Sequence, residues 1–556
     1  MLRKLLLVGC VVAVTAAASG QEQAVTVPFR GLVVGESTVE DVVSALGEPR
    51  WGSPGSGSTL FYDSTRPGHT DAVRVSRRAG KLVRVEAASP PAGFETAEAV
   101  RARLGLPEYT LDLETQFMYE YCAHGVRFWF ERKTGSTIGT AHFPPTAARV
   151  PDGEAKSVDL RHRRERDGNT PAAWNAGIAS VVISPPDLKK AGRSYNKIHD
   201  DLLARCLVIS GNGRTVALLG ADLFGVTKHE IDPVREAAAE LGVDFLLFAS
   251  SHTHSAADTI GVYGYYPAEY VKFIQDRCIE CVKQAVTNLA PAVIETGQVE
   301  LPLDGARIEQ ISRNGRNPGI VDPYLTVVRV LAGEGADTPG TTLCNVVHLA
   351  LHPERLSGFD RAISADYVTP LREELQSQVG GLCLFLNGPL GGMLTPDGLP
   401  GADRFEDTDR MGKWIAAQAG ALVKDGLRPL SKQSLSVRIR PLQIPVVSEK
   451  LLAPFKAGTM QGTLYQGRYQ TEVSRIDLGE LQLIAIPGEL LPELGFALRE
   501  KMTGSVNAIV GLANDEIGYL IPAYDFRAGT YEESMSLGPS AAPQIMNAAF
   551  ELLGNP

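Results

Sequence analysis

The feature that most constrains this chain is a pattern running from about residue 174 onward. Apolar runs of strand length alternate with periodic runs of helix length, and several apolar runs stop on a residue able to bind a metal or move a proton. Apolar runs closed by turn residues predict buried strands, and the longer periodic segments predict helices. Strands are expected at 215–222, 243–250, 324–331, 342–351, 381–386, 481–486 and 508–512, and helices at 231–241, 268–288, 367–378, 410–423 and 490–501. This alternation predicts an α/β domain on a mixed sheet. Ligands of such sheets gather beyond the carboxyl ends of the strands. The residues at those ends are therefore the first functional candidates: Asp222, His252, His352, Glu489 and, through Asn514-Asp515, Tyr519.

The run at 245–250 empties into Ser251-His252-Thr253-His254. Alternate residues of a strand share a side, so His252 and His254 are expected to face one pocket. Taken alone, the pair fits hydrogen-bonded structural histidines as well as metal ligands.

The 556 residues allow two or three domains. With 44% hydrophobic and 21% charged residues, the composition is that of a globular protein. A formal net charge of −10 argues against a nucleic-acid surface. The first 20 residues pass from Arg3-Lys4 through an apolar run to small residues, the pattern of a secretory signal peptide cleaved near 18–21. Leu7-Val8-Gly9-Cys10 loosely resembles a lipoprotein cleavage box, but ordinary cleavage is expected. The mature chain is then secreted, periplasmic or held in the cell envelope, and peripheral contact with a membrane stays open. Cys122, Cys206, Cys278, Cys281, Cys344 and Cys383 remain after cleavage. Several lie in apolar runs, where a buried thiol is the usual state. Cys278-x-x-Cys281 falls in a helical pattern without a second pair, which favours a core or disulfide role over metal binding.

Residues 28–150 form a different text. Thr38-Val-Glu40-Asp-Val42 to Gly47 and Pro49 recurs as Thr96-Ala-Glu98-Ala-Val100 to Gly105 and Pro107, an offset of 96 − 38 = 58. This predicts a duplicated α+β module, each copy a short capped helix followed by strands. It resembles the helix-plus-sheet modules of outer-membrane assembly lipoproteins and of the β-lactamase inhibitory protein, which implies a binding or scaffolding role with an unassigned partner; a structural appendage fits equally. The polar stretch at 151–173 reads as a linker, leaving 174–556 as the main domain.

Across residues 174 to 540 several segments in a fixed order carry a family resemblance: Ala176 to Pro186, Ala249-Ser-Ser-His252-Thr-His254-Ser255, His352-Pro353, Ile363-Ser-Ala-Asp366-Tyr367, Ile486-Pro-Gly-Glu489 and Gly518-Tyr519. Together they resemble the neutral/alkaline ceramidases. The resemblance implies a zinc-dependent amidohydrolase acting on N-acylsphingosine or a related N-acyl lipid through a zinc-activated water. It implies zinc ligands at His252, His352, Glu489 and Tyr519, with His254 at the substrate. Arg313 matches an Asn-Arg segment of the family, and Tyr531 lies as far beyond Tyr519 as a second active-site tyrosine of the family. In this scheme His254 moves a proton to the leaving amine, Arg313 and Tyr531 stabilise the developing oxyanion, and Asp222 or Asp258 orients a ligand histidine.

Two departures bear on substrate. Gly392 stands where the family has Asp, and the family's nucleophilic serine is missing, with Thr395 the nearest hydroxyl. A threonine without an evident base is a poor nucleophile. The chain also stops at Pro556, where the well-known ceramidases continue into a C-terminal sandwich domain. A zinc hydrolase of another amide or ester, or a non-catalytic envelope binding protein, are the competing expectations.

Overall fold

The computed structural model describes residues 29–142 except 35, 50–58, 64–69, 76–81, 88–89, 105–108, 113–115, 122–125, 132–133 and 135. It also describes residues 174–554 except 193–194, 302–311, 318–319, 334–339, 397–402, 463, 466 and 528. The expected signal peptide with Cys10, the polar stretch at 151–173 and Cys122 lie outside the described residues. Contacts divide the chain into two units, Met1–Asp159 and Leu160–Pro556.

In the smaller unit, helices α1 (Val39–Leu46) and α2 (Ala97–Leu104) begin 97 − 39 = 58 residues apart. The Thr38 and Asp41 side chains cap the first turn of α1 reciprocally, and the Thr96 hydroxyl accepts from the Ala99 N–H at the start of α2. Strands β1 (Thr59–Asp63), β2 (Thr70–Val75), β3 (Leu82–Ala87), β4 (Tyr109–Asp112), β5 (Gln116–Tyr121), β6 (Val126–Glu131) and β7 (Thr137–His142) pair antiparallel in the order β1-β2-β3-β7-β6-β5-β4. Val42 of α1 packs in a cluster with Val73 and Val85, and Val100 of α2 in one with Phe128 and Phe130.

The larger unit begins with β8 (Trp174–Val182), β9 (Lys197–Ile198), β10 (Leu203–Gly211), β11 (Arg214–Ala221), α3 (Lys228–Glu240), β12 (Phe245–Ser250) and α4 (Ala268–Thr287). It continues through β13 (Ala290–Glu300), β14 (Ser312–Asn314), β15 (Tyr324–Ala332), β16 (Thr342–Leu349), β17 (Ala362–Ile363), α5 (Val368–Val379), β18 (Leu382–Asn387), β19 (Leu394–Pro396), α6 (Arg404–Asp425) and β20 (Arg428–Pro429). The last third holds β21 (Leu435–Pro445), α7 (Glu449–Ala457), β22 (Leu464–Tyr465), β23 (Arg468–Leu478), β24 (Leu481–Ala485), β25 (Glu489–Leu490), α8 (Pro492–Lys501), β26 (Val506–Val510), β27 (Tyr519–Leu520), α9 (Tyr531–Ser534) and α10 (Ala541–Leu552).

One sheet runs β12-β11-β10-β8-β13-β15-β16-β18 with β20 beside β13; a second runs β21-β23-β24-β26 with β22 beside β23. The first is antiparallel in its middle and parallel at both ends, in the pairs β11–β12 and β16–β18, so the sheet is mixed as expected. Pleat alternation then fixes the layers. On β10, Leu207 and Ile209 join Leu483 and Ala508 of the second sheet in one core, while Cys206 and Val208 pack with Ile274 of α4 and Leu371 of α5. On the second sheet, Ile484 and Ile509 turn the other way, into a cluster with Leu498 of α8 and Ile545 of α10. The layers are thus helix, sheet, sheet, helix. No helix among the described residues is long and apolar enough to cross a membrane.

The sequence expectation misses β8 and β10, although β10 holds the apolar run Cys206-Leu-Val-Ile209, and it misses β13, β21 and β23, which interleave Glu, Gln, Arg and Ser with apolar residues. It also starts α6 six residues late, because the Asp403 side chain caps the Phe405 and Glu406 N–H groups and begins the helix at Arg404. Cys278 and Cys281 are buried free thiols on α4, which is the core role rather than the disulfide.

Candidate metal centre

The described site lies where strands of both sheets end. β12 stops at Ser250, so His252 and His254 stand in the loop beyond it, and His252 adopts φ 69°. The strand-phase argument for the pair therefore fails: the two are not on a strand. Their rings nonetheless converge, 4.8 Å apart at 85°, because the left-handed backbone at His252 turns the chain back on itself. Met393, Leu512 and Asn514 near the same ends also have positive φ. Such strained residues gather at functional sites.

Backbone carbonyls fix the two deeper histidines. His252 donates from Nδ1 to the Phe224 carbonyl and is stacked by the Phe224 ring at 5.0 Å. His352, beyond β16, donates from Nδ1 to the Leu394 carbonyl at 2.9 Å. A carbonyl can only accept, so each Nδ1 carries the hydrogen and each Nε2 is left with a lone pair. Those Nε2 atoms face one carboxylate: His352 Nε2 lies 3.0 Å from Glu489 Oε2 and His252 Nε2 3.6 Å from Oε1. Burial pushes His252 down to about 4, lowers His352 and raises Glu489. Two neutral imidazole lone pairs aimed at a carboxyl group repel unless a cation or a proton lies between them.

Glu489 and Tyr519 are opposite residues of the parallel pair β25–β27, and the Tyr519 hydroxyl bonds to Glu489. Met393 Sδ lies 3.6 Å from the same hydroxyl. The four residues named as metal ligands thus meet in one place. Independently, nitrogen atoms of His252, His254 and His352 all lie within 4.8 Å of one another. Nitrogen and oxygen donors in a buried cluster fit zinc.

Around this core, the Tyr531 ring stands 6.1 Å from Tyr519, half-exposed and hydrogen-bonded to Tyr263. Arg313 and Thr395 are cross-strand partners on β14 and β19, with the Arg313 Nε donating to the Thr395 hydroxyl at 3.3 Å. They meet each other, and Thr395 has no base beside it among the described residues; burial raises the nearby Glu354 carboxyl, with His352 and Arg313 acting against it. Asp222 does not orient a histidine: its carboxylate is filled by Arg372 and the Leu203 N–H. Asp258 accepts from the Ile260, Gly261 and Tyr263 N–H groups and shapes the loop over the site. The orienting work goes to carbonyls, which no sequence motif announces.

Sequence reasoning also misses two acids. Glu354 Oε2 lies 3.5 Å from His254 Nδ1, and Glu516 lines the cleft with Phe224, Ile260, Tyr519 and Tyr531. Both were visible as acidic neighbours of chosen residues, in His352-Pro353-Glu354 and Asn514-Asp515-Glu516.

Fold and site together define a two-sheet α/β protein with a buried His, Glu and Tyr cluster at its strand ends. No family model matches the chain, and no curated protein matches it. Among solved structures it is similar to the neutral ceramidase of Pseudomonas aeruginosa, at 18% identity and a TM-score of 0.56, over 69% of this chain and 75% of that one. It is similar in the same measure to a ceramidase complexed with C2, at 17% identity and a TM-score of 0.57, with the same coverage. The smaller unit holds only 159 of 556 residues, so most of the likeness lies in the larger unit. The shared property at this identity is the neutral ceramidase fold.

Proposed function

We propose that this chain is an exported zinc-dependent amidohydrolase that cleaves the amide of N-acylsphingosine or a related N-acyl lipid. The observation that carries the reading is the pair of Nε2 lone pairs from His252 and His352 facing Glu489, beside the Tyr519 hydroxyl. These four residues would hold the metal. Bound there, zinc supplies Lewis-acid polarisation of a carbonyl and acidifies a water near neutral pH. The fold shared with ceramidases supports an amide substrate, and the basic-then-apolar N-terminus supports export.

The chain's own groups supply the rest. His254, with Nδ1 toward Glu354, presents Nε2 as the atom that takes a proton from the attacking water and returns it to the leaving nitrogen. The Tyr531 hydroxyl, at the mouth of the cleft, donates to the oxygen on which charge develops. Arg313 brings a positive charge toward the Glu354 carboxyl, against the burial that raises it. The duplicated module of the smaller unit is a binding or scaffolding element or a structural appendage.

The reading is tested on purified protein by metal analysis together with hydrolysis of N-acylsphingosines, simple N-acyl amino acids and esters. One zinc per chain and amide cleavage lost at least ~10³-fold in His252→Ala are expected. Protein without stoichiometric zinc, or a His252→Ala variant that still hydrolyses, sinks it.

A further inference from the structure

We propose that Glu516 is a specificity-determining residue that selects amide ligands carrying a hydroxyl group close to the scissile bond. This rests on the hydrolase reading above.

Glu516 is 4% exposed and lines the same cleft as His252, His254, Glu489 and Tyr531. Its Oε1 accepts from the Gly518 N–H at 2.9 Å, while its Oε2 is buried with no hydrogen-bond partner among the described residues. The neighbours do not compensate. Phe224, Ile260, Ile517 and Met535 make that side of the cleft apolar. Asp515 turns its Oδ1 to the Lys228 and Glu516 N–H groups and the Tyr469 hydroxyl, and as an acid it offers Glu516 no donor when ionised. A Cβ at Gly225 would lie 3.0 Å from Glu516 Cγ, so the glycine leaves room beside the acid.

A buried carboxyl oxygen without a partner carries a desolvation cost, which a ligand removes if it brings the missing hydrogen bond. A hydroxyl suits the position because it both donates and accepts, and so pairs with Glu516 whether the acid is ionised or neutral. A ligand with no polar group there leaves the oxygen stranded.

The test compares matched amide pairs differing by one hydroxyl, on the amine side (N-acylethanolamine against N-acylethylamine) and on the acyl side (2-hydroxyacyl against acyl amides). At least one pair should differ in kcat/KM by roughly 10- to 100-fold in favour of the hydroxyl. Glu516→Leu should bring that ratio to about one, and Glu516→Gln, which keeps a hydrogen-bonding head, should retain part of it. Calorimetric binding of the same pairs gives a readout independent of turnover. If no amide is hydrolysed, the hydrolase reading falls, and the binding ratios alone decide the role of Glu516. Equal binding and turnover within every pair, or a hydroxyl preference unchanged in Glu516→Leu, overturns the proposal.

Discussion

At the scale of single residues, two histidines of one strand connection illustrate opposite uses of burial. His348 on β16 sits between the sheets with Nε2 donating to the Ile509 carbonyl at 2.8 Å, and burial pushes it down to about 4. Its unfolded value is near 6.5, so below that pH the unfolded chain binds a proton that the folded one refuses. Stability from this group is therefore present above pH 6.5 and is lost as pH falls toward 4, by roughly 2–3 kcal/mol in total. Urea midpoints at pH 7 and pH 4.5 should show a shallower loss in His348→Gln, which keeps the donor to Ile509 and cannot titrate. Equal pH slopes would reject this account. His352, four residues on, is held by a carbonyl in the same manner but turns its free nitrogen to a carboxylate, which is why only it reads as a ligand. His254 depends on its partner acid instead. Glu354→Gln should lower kcat about 10- to 100-fold with KM little changed, as removal of a group orienting a catalytic imidazole does. A variant whose loss falls in KM would assign Glu354 to substrate binding. The residues at the strand ends were legible in the sequence because each follows an apolar run. The carbonyls of Phe224 and Leu394 were not, since any residue supplies the same atom.

At the scale of elements, the motif Ile486-Pro487-Gly488-Glu489 shows how backbone geometry delivers a ligand. β24 ends at Ala485, Gly488 takes φ 142°, and β25 then runs beside β27 with Glu489 opposite Tyr519. A Cβ at Gly488 would lie 2.5 Å from the Gly518 carbonyl oxygen, and side-chain-bearing residues rarely adopt that φ. Gly488→Ala should push β25 and β27 apart, costing about 1–3 kcal/mol of stability and weakening zinc at least ~10-fold, read from denaturant midpoints and chelator competition. Unchanged zinc affinity would show that the strand pair does not set the ligand geometry. Sequence reading located β24, β26 and the helices α4, α5 and α8 within about two residues, because their apolar periodicity is strong. It missed β21, where only Leu435 and Ile444 of eleven residues are buried, and with it most of the second sheet. A strand that shows most of its residues to water carries no apolar run to read.

At the scale of the whole molecule, the question is whether the smaller unit contributes to the chemistry. Among the described residues, the hydrophobic clusters of the larger unit draw on residues from Trp174 onward, and those of the smaller unit on residues up to Phe130. Every candidate ligand and every acid of the cleft belongs to the larger unit. A unit whose core is filled from its own sequence needs no neighbour to fold. A chain of residues 160–556 should therefore unfold in one cooperative transition, bind one zinc and hydrolyse soluble amides with kcat/KM within about threefold of the full chain. The comparison separates two roles for the duplicated module. If turnover of soluble amides survives truncation while turnover of vesicle-bound N-acyl lipids falls, the module acts in delivery of the lipid and not in the reaction. If zinc and all activity are lost together, the smaller unit is part of the catalytic fold, and the division seen in the packing has no functional counterpart.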